Sequence, residues 1–331
     1  MPSLIYIVVI ISTVILAGVA FLIHFNEKKW VVAPWIGIIS IVNITYFMSL
    51  GKIPMSKILF KIPFLNGATF TIFVLIFIMI VSLVFSKKIL IHFSRKLFWK
   101  QVLLGILLII STLILSLTIS HQPISESIIL HAESIRETSI VTEMMTSTNI
   151  QNMNWQAGIP LFIAFFSEIV HLPLHEVTVI IQNIMIVFTS LIIAQLLLSL
   201  AKLKSNGSLV ITTIAVTICI SLLSHIYPIS LPTLYMVGLA ALLGELTHQY
   251  ITQTNLNNQP IVSSEEFVIA TLFVTSAAIN SSFLKVLIAV FTVIMMSNYF
   301  LNTKNKSLAW LKIFAIMILF NPLLISFAFQ Y

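Results

Sequence analysis

Long apolar runs separated by short polar loops make up most of the chain. About 20 apolar residues in a helix cross the hydrocarbon core of a bilayer. The pattern therefore predicts an all-α, polytopic integral membrane protein with about nine to eleven transmembrane helices. The runs assigned as spans cover residues 3–25, 31–50, 68–85, 102–119, 177–201, 209–226, 229–246, 267–279, 283–301 and 308–327.

The composition supports the same class of protein. Hydrophobic residues are 59% and charged residues 8% of the 331 residues, and the mean hydropathy is +1.10. A soluble domain has about a quarter of its residues charged, so this chain must expose much of its surface to lipid. The net charge of +7 comes from short basic loops between apolar runs. That distribution indicates contacts with membrane lipids rather than with nucleic acid.

One apolar run, residues 158–170, is too short for an ordinary span and favours a re-entrant or half-length helix. The loop 86–100 holds five basic residues and no acid, which indicates the cytoplasmic side. The segment 121–157, one span later, is then extracytoplasmic. A short helix that does not cross also puts the later loop lysines in the cytoplasm, namely Lys202, Lys204, Lys304 and Lys306.

The chain is therefore expected to form a single transmembrane domain, residues 1–331. Four N-terminal helices lie in 1–120, an extracytoplasmic loop with an amphipathic helix lies in 121–157, and the remaining helices lie in 158–331. Abundant Ile, Lys, Asn and Ser suggest a bacterial plasma membrane.

The polar segment from His121 to Glu176 holds six of the ten acidic residues and four of the eight histidines. On a helix that starts after Pro123, Glu126, Glu133 and Glu137 lie within about 40° of one another. An acid near the bilayer at the mouth of a cavity would act as a base or a metal ligand. Glu126 is the preferred candidate, because it follows the fourth span most closely. Equally, the helix could lie on the membrane with its acids solvated.

Histidines in this segment suggest a possible divalent metal, with His121 and His131 as candidate ligands. His171 and His175 are less suited, because Pro173 breaks the helix that would place them on one face. Interfacial histidines without a ligand role are the simpler interpretation.

Two charged residues lie within the later apolar runs. Glu245 is expected to reach the interface at the end of its span and to be structural. Lys285 stands between two apolar runs and is either a loop residue or a buried cation for an anionic head group.

The stretch from Trp155 to Lys204 resembles GT-C type membrane glycosyltransferases. In that family an aromatic, Pro and Gly start leads into a short apolar helix, a small break and a long helix with a Gln or Arg and an Asn near its beginning. The corresponding features here are Gly158 with Pro160, the break at 171–173, and Gln182 with Asn183. The resemblance covers about residues 119–204.

This resemblance implies a GT-C-like fold and transfer of a sugar from a polyprenyl-phosphate sugar lipid to a cell-envelope acceptor at the outer face. An acid of the first outer loop would be the general base or a metal ligand. The family usually has Asp there, whereas this chain contains no Asp, so that Glu126 would replace it, with Glu133 or Glu137 second. Lys285, Arg136 and Gln182 are the candidate residues for binding the lipid phosphate.

Two other functions fit the same sequence. A transporter or flippase for an envelope lipid or glycan would explain the helix number and the short helix, although most spans contain no acid. A membrane subunit without catalytic activity is the third possibility.

Overall fold

The computed structural model describes residues 2–22, 31–50, 66–85, 105–115, 158–203, 205–226, 229–253, 264–279, 281–301, 313 and 315. Every regular element within these ranges is an α-helix. The all-α fold class is therefore confirmed for this part of the chain. The predicted amphipathic helix in 121–157 and the predicted span 308–327 fall outside it, apart from residues 313 and 315.

Ten helices are described. They are α1 (Pro2–Leu22), α2 (Ala33–Leu50), α3 (Gly67–Phe85), α4 (Gly105–Leu115), α5 (Gly158–Val170), α6 (Leu174–Leu200), α7 (Asn206–Ile226), α8 (Leu231–Gln253), α9 (Ser264–Ile279) and α10 (Ser281–Leu301).

The apolar runs predict the positions of these helices well, and α5 has the predicted bounds. One prediction was wrong: the run predicted over 229–246 leaves the polar residues after it as a loop, but residues 247–253 continue α8 to Gln253. Thr247 is buried there, and its hydroxyl donates to the Leu243 carbonyl at 2.7 Å. The helix backbone thus accepts the hydrogen bond of a polar side chain that the sequence places in a loop.

Two of the described helices are long and apolar enough to cross a membrane, namely α6 and residues 207–224 of α7. They differ in their surroundings, because α6 is mostly covered by protein and α7 is mostly uncovered. Ile211 of α7 is 71% exposed, and Phe77 of α3 is 67% exposed. Large uncovered apolar surfaces of this kind mark contact with a membrane or a partner. The fold therefore indicates membrane association.

Helix α6 is the centre of one half of the structure, because α5, α7 and α8 all pack against it. The pairing of α6 with α8 is parallel, as three contacts advance together along both helices. Gln182 donates to the Ile229 carbonyl, Thr189 donates to the Leu234 carbonyl, and Gln195 donates to Glu245. The short loops around α7 produce this arrangement, since α7 runs back between two helices of the same direction.

Helix α2 joins this half to the N-terminal helices. It packs against α1, α3, α5 and α9. The α1–α2 crossing is close, since a Cβ on Gly18 would lie 1.8 Å from the Ala33 carbonyl oxygen and one on Gly37 would lie 1.9 Å from the Val14 carbonyl oxygen. Neither glycine can carry a side chain without separating the two helices.

Trp35 of α2 inserts between α6 and α8. Its indole Nε1 donates to the Phe188 carbonyl of α6 at 3.0 Å, and its ring meets Tyr235 of α8 edge to face at 6.3 Å. The ring occupies the place that a side chain at Gly238 would need, because a Cβ there would lie 1.8 Å from Trp35 Cζ2. A tryptophan and a glycine from distant parts of the chain thus fix the contact between α2 and α8.

We expect Gly238→Ala to destabilise the protein by about 1–3 kcal/mol, the usual effect of overpacking a tight core. The indole is fully buried and cannot retreat. Thermal unfolding of the purified full chain in detergent measures the effect.

Gly207→Ala is the matched control. The nearest atom to a Cβ at Gly207 is Ser205 Oγ at 3.6 Å, so the methyl group fits there. Equal unfolding temperatures for the two variants would show that the Trp35–Gly238 contact does not constrain the fold.

Candidate functional site

Most of the residues that the sequence proposes for catalysis, phosphate binding and metal binding lie outside the described residues. They are Glu126, Glu133, Glu137, Arg136, His121 and His131. Their roles stay predictions. Helix α5 and the turn after it follow these residues in the chain, and both are described.

Helix α5 starts in the protein core and ends at an exposed turn. Its side chains are buried from Gly158 to Ser167, whereas His171, Pro173 and His175 of the turn are exposed. The turn is shaped by His171, which has a φ of 52°, a left-handed conformation in which His is more frequent than most residues. The Ser167 hydroxyl donates to the Leu172 carbonyl at 2.7 Å and ties the end of α5 to the turn.

Pro173 then starts α6. Its φ of −56° and ψ of 145° place it just outside the helix, and its carbonyl accepts from the Glu176 and Val177 amides at 3.1 and 3.2 Å. The predicted helix break at this proline is confirmed. Consequently His171 and His175 do not lie on one helical face.

Four titratable side chains surround this turn: Glu168, His171, His175 and Glu176. The His175 Nε2 lies 4.0 Å from the Glu176 Oε1, and both side chains are about half exposed, 55% and 50%. An exposed pair at this distance contributes little to stability. The described residues contain no group of three or more potential His, Cys, Asp or Glu metal ligands. The turn is therefore a polar surface.

Glu168 is the acid of this turn that the protein partly covers. It lies in the last turn of α5, a helix too short to span a bilayer. Burial raises the pKa of its carboxyl above the ordinary value, and the nearby His171 partly opposes the shift.

The two phosphate-binding candidates within the described residues, Gln182 and Lys285, contact different parts of the protein. Gln182 is half-buried on α6, and its Nε2 donates to the Ile229 carbonyl at 3.2 Å, immediately before α8. Lys285 is on α10, which packs on α9 and α8, and its side chain is exposed. Lys285 is therefore neither a loop residue nor buried, and its role in binding a head group stays a prediction. No hydrogen bond joins Lys285 to Gln182 in the described part of the chain.

A second polar site lies between α6 and α8, and the sequence did not reveal it. Glu245 is only 1% exposed. Its Oε1 accepts from Ser199 Oγ at 3.0 Å, from Gln195 Nε2 at 3.2 Å and from Gln249 Nε2. Gln195 and Ser199 are four residues apart on α6, as are Glu245 and Gln249 on α8, so each pair lies on one helical face. We call these four residues the Glu245 cluster.

The expectation that Glu245 reaches the interface is wrong, because the side chain turns toward α6 instead of toward the end of its helix. Gly244 allows the close approach, since a Cβ there would lie 3.2 Å from Leu196 Cδ2. The available sequence signal was the polar pair at i and i+4 on each of two otherwise apolar helices. It becomes a site only when the parallel pairing of α6 and α8 is known.

Comparison with protein-family models, with curated proteins and with solved structures gives no match to this chain.

We expect Glu168→Gln to change the pH dependence of stability. The folded state holds the carboxyl proton more tightly than the unfolded chain does, because the pKa of Glu168 is raised on folding. The wild type should therefore lose stability as the pH rises from the ordinary carboxyl pKa through the folded one. The variant should lose less over that range, as measured by unfolding temperature from about pH 4 to 7.

Glu176→Gln, in the same turn but half exposed, should keep the wild-type pH profile. If Glu168→Gln and wild type have parallel profiles, burial does not disfavour the Glu168 carboxylate.

Proposed function

We propose that the chain is a multi-pass membrane protein that transfers a sugar from a polyprenyl-phosphate donor to a cell-envelope acceptor at the outer face of a bacterial plasma membrane. The observation that carries this proposal is the order of elements from Gly158 onward. A short helix that starts in the core, an exposed turn and a long helix follow the polar segment directly. GT-C enzymes have the same order after their first outer loop.

The apolar surface supports a lipid-linked substrate. Helices α3, α4, α7 and α10 each leave large apolar side chains uncovered, among them Phe73, Ile110, Leu222 and Val293. Such surfaces face the acyl chains in which a polyprenyl tail also dissolves. The sugar and the single phosphate that links it to the polyprenyl chain would then meet the polar residues that border the membrane.

In the proposed reaction Glu126 accepts the proton of the acceptor hydroxyl while the oxygen of that hydroxyl attacks the anomeric carbon of the sugar. The bond from that carbon to the carrier oxygen breaks, and polyprenyl phosphate leaves. Arg136 and Lys285 would balance the phosphate charge. Gln182, the remaining phosphate candidate, would instead position the segment before α8, because its Nε2 donates to the Ile229 carbonyl.

Topology follows from the half-length helix. With 121–157 outside and α5 entering and leaving on that side, α6 crosses inward and ends at Lys202. Lys202 has a φ of 55°, and the Leu203 amide donates back to the Leu198 carbonyl at 2.9 Å, which closes the helix as a Schellman motif. The lysines after α6 would thus lie at the cytoplasmic face.

Transport of the lipid-linked sugar is the second candidate function. The observation that favours it is the Glu245 cluster, because an acid buried within a helix pair of a membrane protein commonly marks an ion or substrate path.

We expect Glu126→Gln to abolish sugar transfer, because an amide cannot accept the proton. Transfer is measured in membranes with a radiolabelled polyprenyl-phosphate sugar, and expression is checked by immunoblot. Glu143→Gln is the matched control, since Glu143 is in the same segment but about 100° away from the acidic stripe on a helix.

Full transfer by Glu126→Gln would remove Glu126 from the mechanism. Lack of transfer by the wild type, together with movement of the intact lipid across reconstituted vesicles, would replace the transferase proposal by transport.

The topology gives a separate prediction. Cys219 is the single cysteine of the chain, so Leu130→Cys in a Cys219→Ser background reports one position. A membrane-impermeant maleimide should label it in intact cells. Lys96→Cys in the same background should be labelled only after permeabilisation. The reverse pattern would place the acidic segment in the cytoplasm and contradict the proposed site.

A further inference from the structure

The Glu245 cluster holds a carboxyl group in a covered position. Glu245 is 1% exposed, and no Lys or Arg side chain of the described residues lies within ion-pair distance of it. All hydrogen bonds to the carboxyl converge on Oε1. The other oxygen, Oε2, is buried and has no hydrogen-bond partner in the described structure. A buried acid is expensive to leave in this condition.

The remaining side chains of the cluster are neutral and can present oxygen atoms. Ser199 has a hydroxyl, and Gln195 and Gln249 have amides whose nitrogen and oxygen exchange places by half a turn of the terminal bond. The Gln195 Nε2 lies 3.2 Å from Ser199 Oγ, and both lie within 3.2 Å of Glu245 Oε1. Four side chains thus meet at one small volume between α6 and α8.

We infer that the Glu245 cluster binds a monovalent alkali cation, Na⁺, through the Glu245 carboxylate, the Ser199 hydroxyl and the amide oxygens of Gln195 and Gln249. Carboxylate, amide and hydroxyl oxygens are hard ligands, which suit alkali and alkaline-earth cations rather than Zn²⁺ or Cu²⁺. The cluster supplies one negative charge. A monovalent cation neutralises it, whereas a divalent cation would leave a buried positive charge.

The simpler alternative is a polar contact that only holds α6 and α8 together. Interhelical contacts of Gln and Ser have this role in membranes. That role explains the three hydrogen bonds to Oε1 but leaves Oε2 without a partner. A neutral side chain at position 245 could also fill that role. A cation bound between the two carboxylate oxygens would account for both.

This inference does not depend on the proposed sugar transfer or on transport. It concerns the C-terminal halves of α6 and α8, and its test measures ion binding. A failure of either proposed function would leave it unchanged, and its own failure would leave the transferase proposal unchanged.

The test uses the purified full chain in detergent, with NaCl compared to choline chloride at equal ionic strength. Na⁺ should raise the unfolding temperature of the wild type in a saturable manner, because a ligand of the folded state stabilises it. Radioactive sodium should bind with the same concentration dependence. Glu245→Gln should lose both effects, and Ser199→Ala should shift both to higher Na⁺ concentrations without any change of charge.

Glu266→Gln is the matched control. Glu266 is also a buried acid, 1% exposed, but it lies on α9 outside the cluster. This variant should keep the Na⁺ response of the wild type. Ser199→Ala keeps the test usable if Glu245→Gln does not fold.

Three results would overturn the inference. The first is a wild type whose stability is the same in NaCl and choline chloride. The second is an undiminished Na⁺ response in Ser199→Ala together with Glu245→Gln, which would place the ion elsewhere. The third is a response to pH alone, which would mean that the carboxyl takes up a proton and no metal ion.

Discussion

The contact of Trp35 with Phe188 and Gly238 is the constraint on which the described structure most depends. Its indole donates to a backbone carbonyl of α6 while its ring fills the space beside a glycine of α8. An indole N–H buried without an acceptor would be costly, and a side chain at position 238 would exclude the ring. The geometry is therefore set from both sides. This geometry determines where α2 meets the α6–α8 pair. Helices α1 and α5 in turn pack against α2.

The sequence predicts the helices because an apolar run long enough to cross lipid is a local property of the chain. It predicts their ends less well where polar residues are satisfied by distant partners. Residues 247–253 contain Thr, His, Gln and Tyr and look like a loop, yet they are helical because Thr247 and the Glu245 cluster are covered by other helices. The break between α5 and α6 was predictable for the opposite reason, since a proline ends a helix whatever surrounds it.

The polar sites divide in the same way. The turn around Glu168 and His171 could be recognised from spacing alone, because its residues are neighbours in the chain. The burial of Glu245 could not, because it depends on Ser199 and Gln195 at positions 46 and 50 residues earlier. The position of Glu245 at the end of an apolar run predicts that its carboxyl reaches the membrane interface. The structure shows instead that α8 continues about two turns beyond Glu245 and that α6 offers this acid two hydrogen-bond donors.

Helix α6 connects the two polar sites and keeps them apart. The exposed turn precedes Leu174, whereas the Glu245 cluster contacts Ser199, so they are separated by roughly 38 Å of helix at 1.5 Å per residue. Phe188, which accepts from Trp35, lies between them. An ion at the cluster therefore cannot touch a substrate at the turn. It could influence the turn only by changing how α6 packs against α8, and Trp35 contacts both of these helices between the two sites.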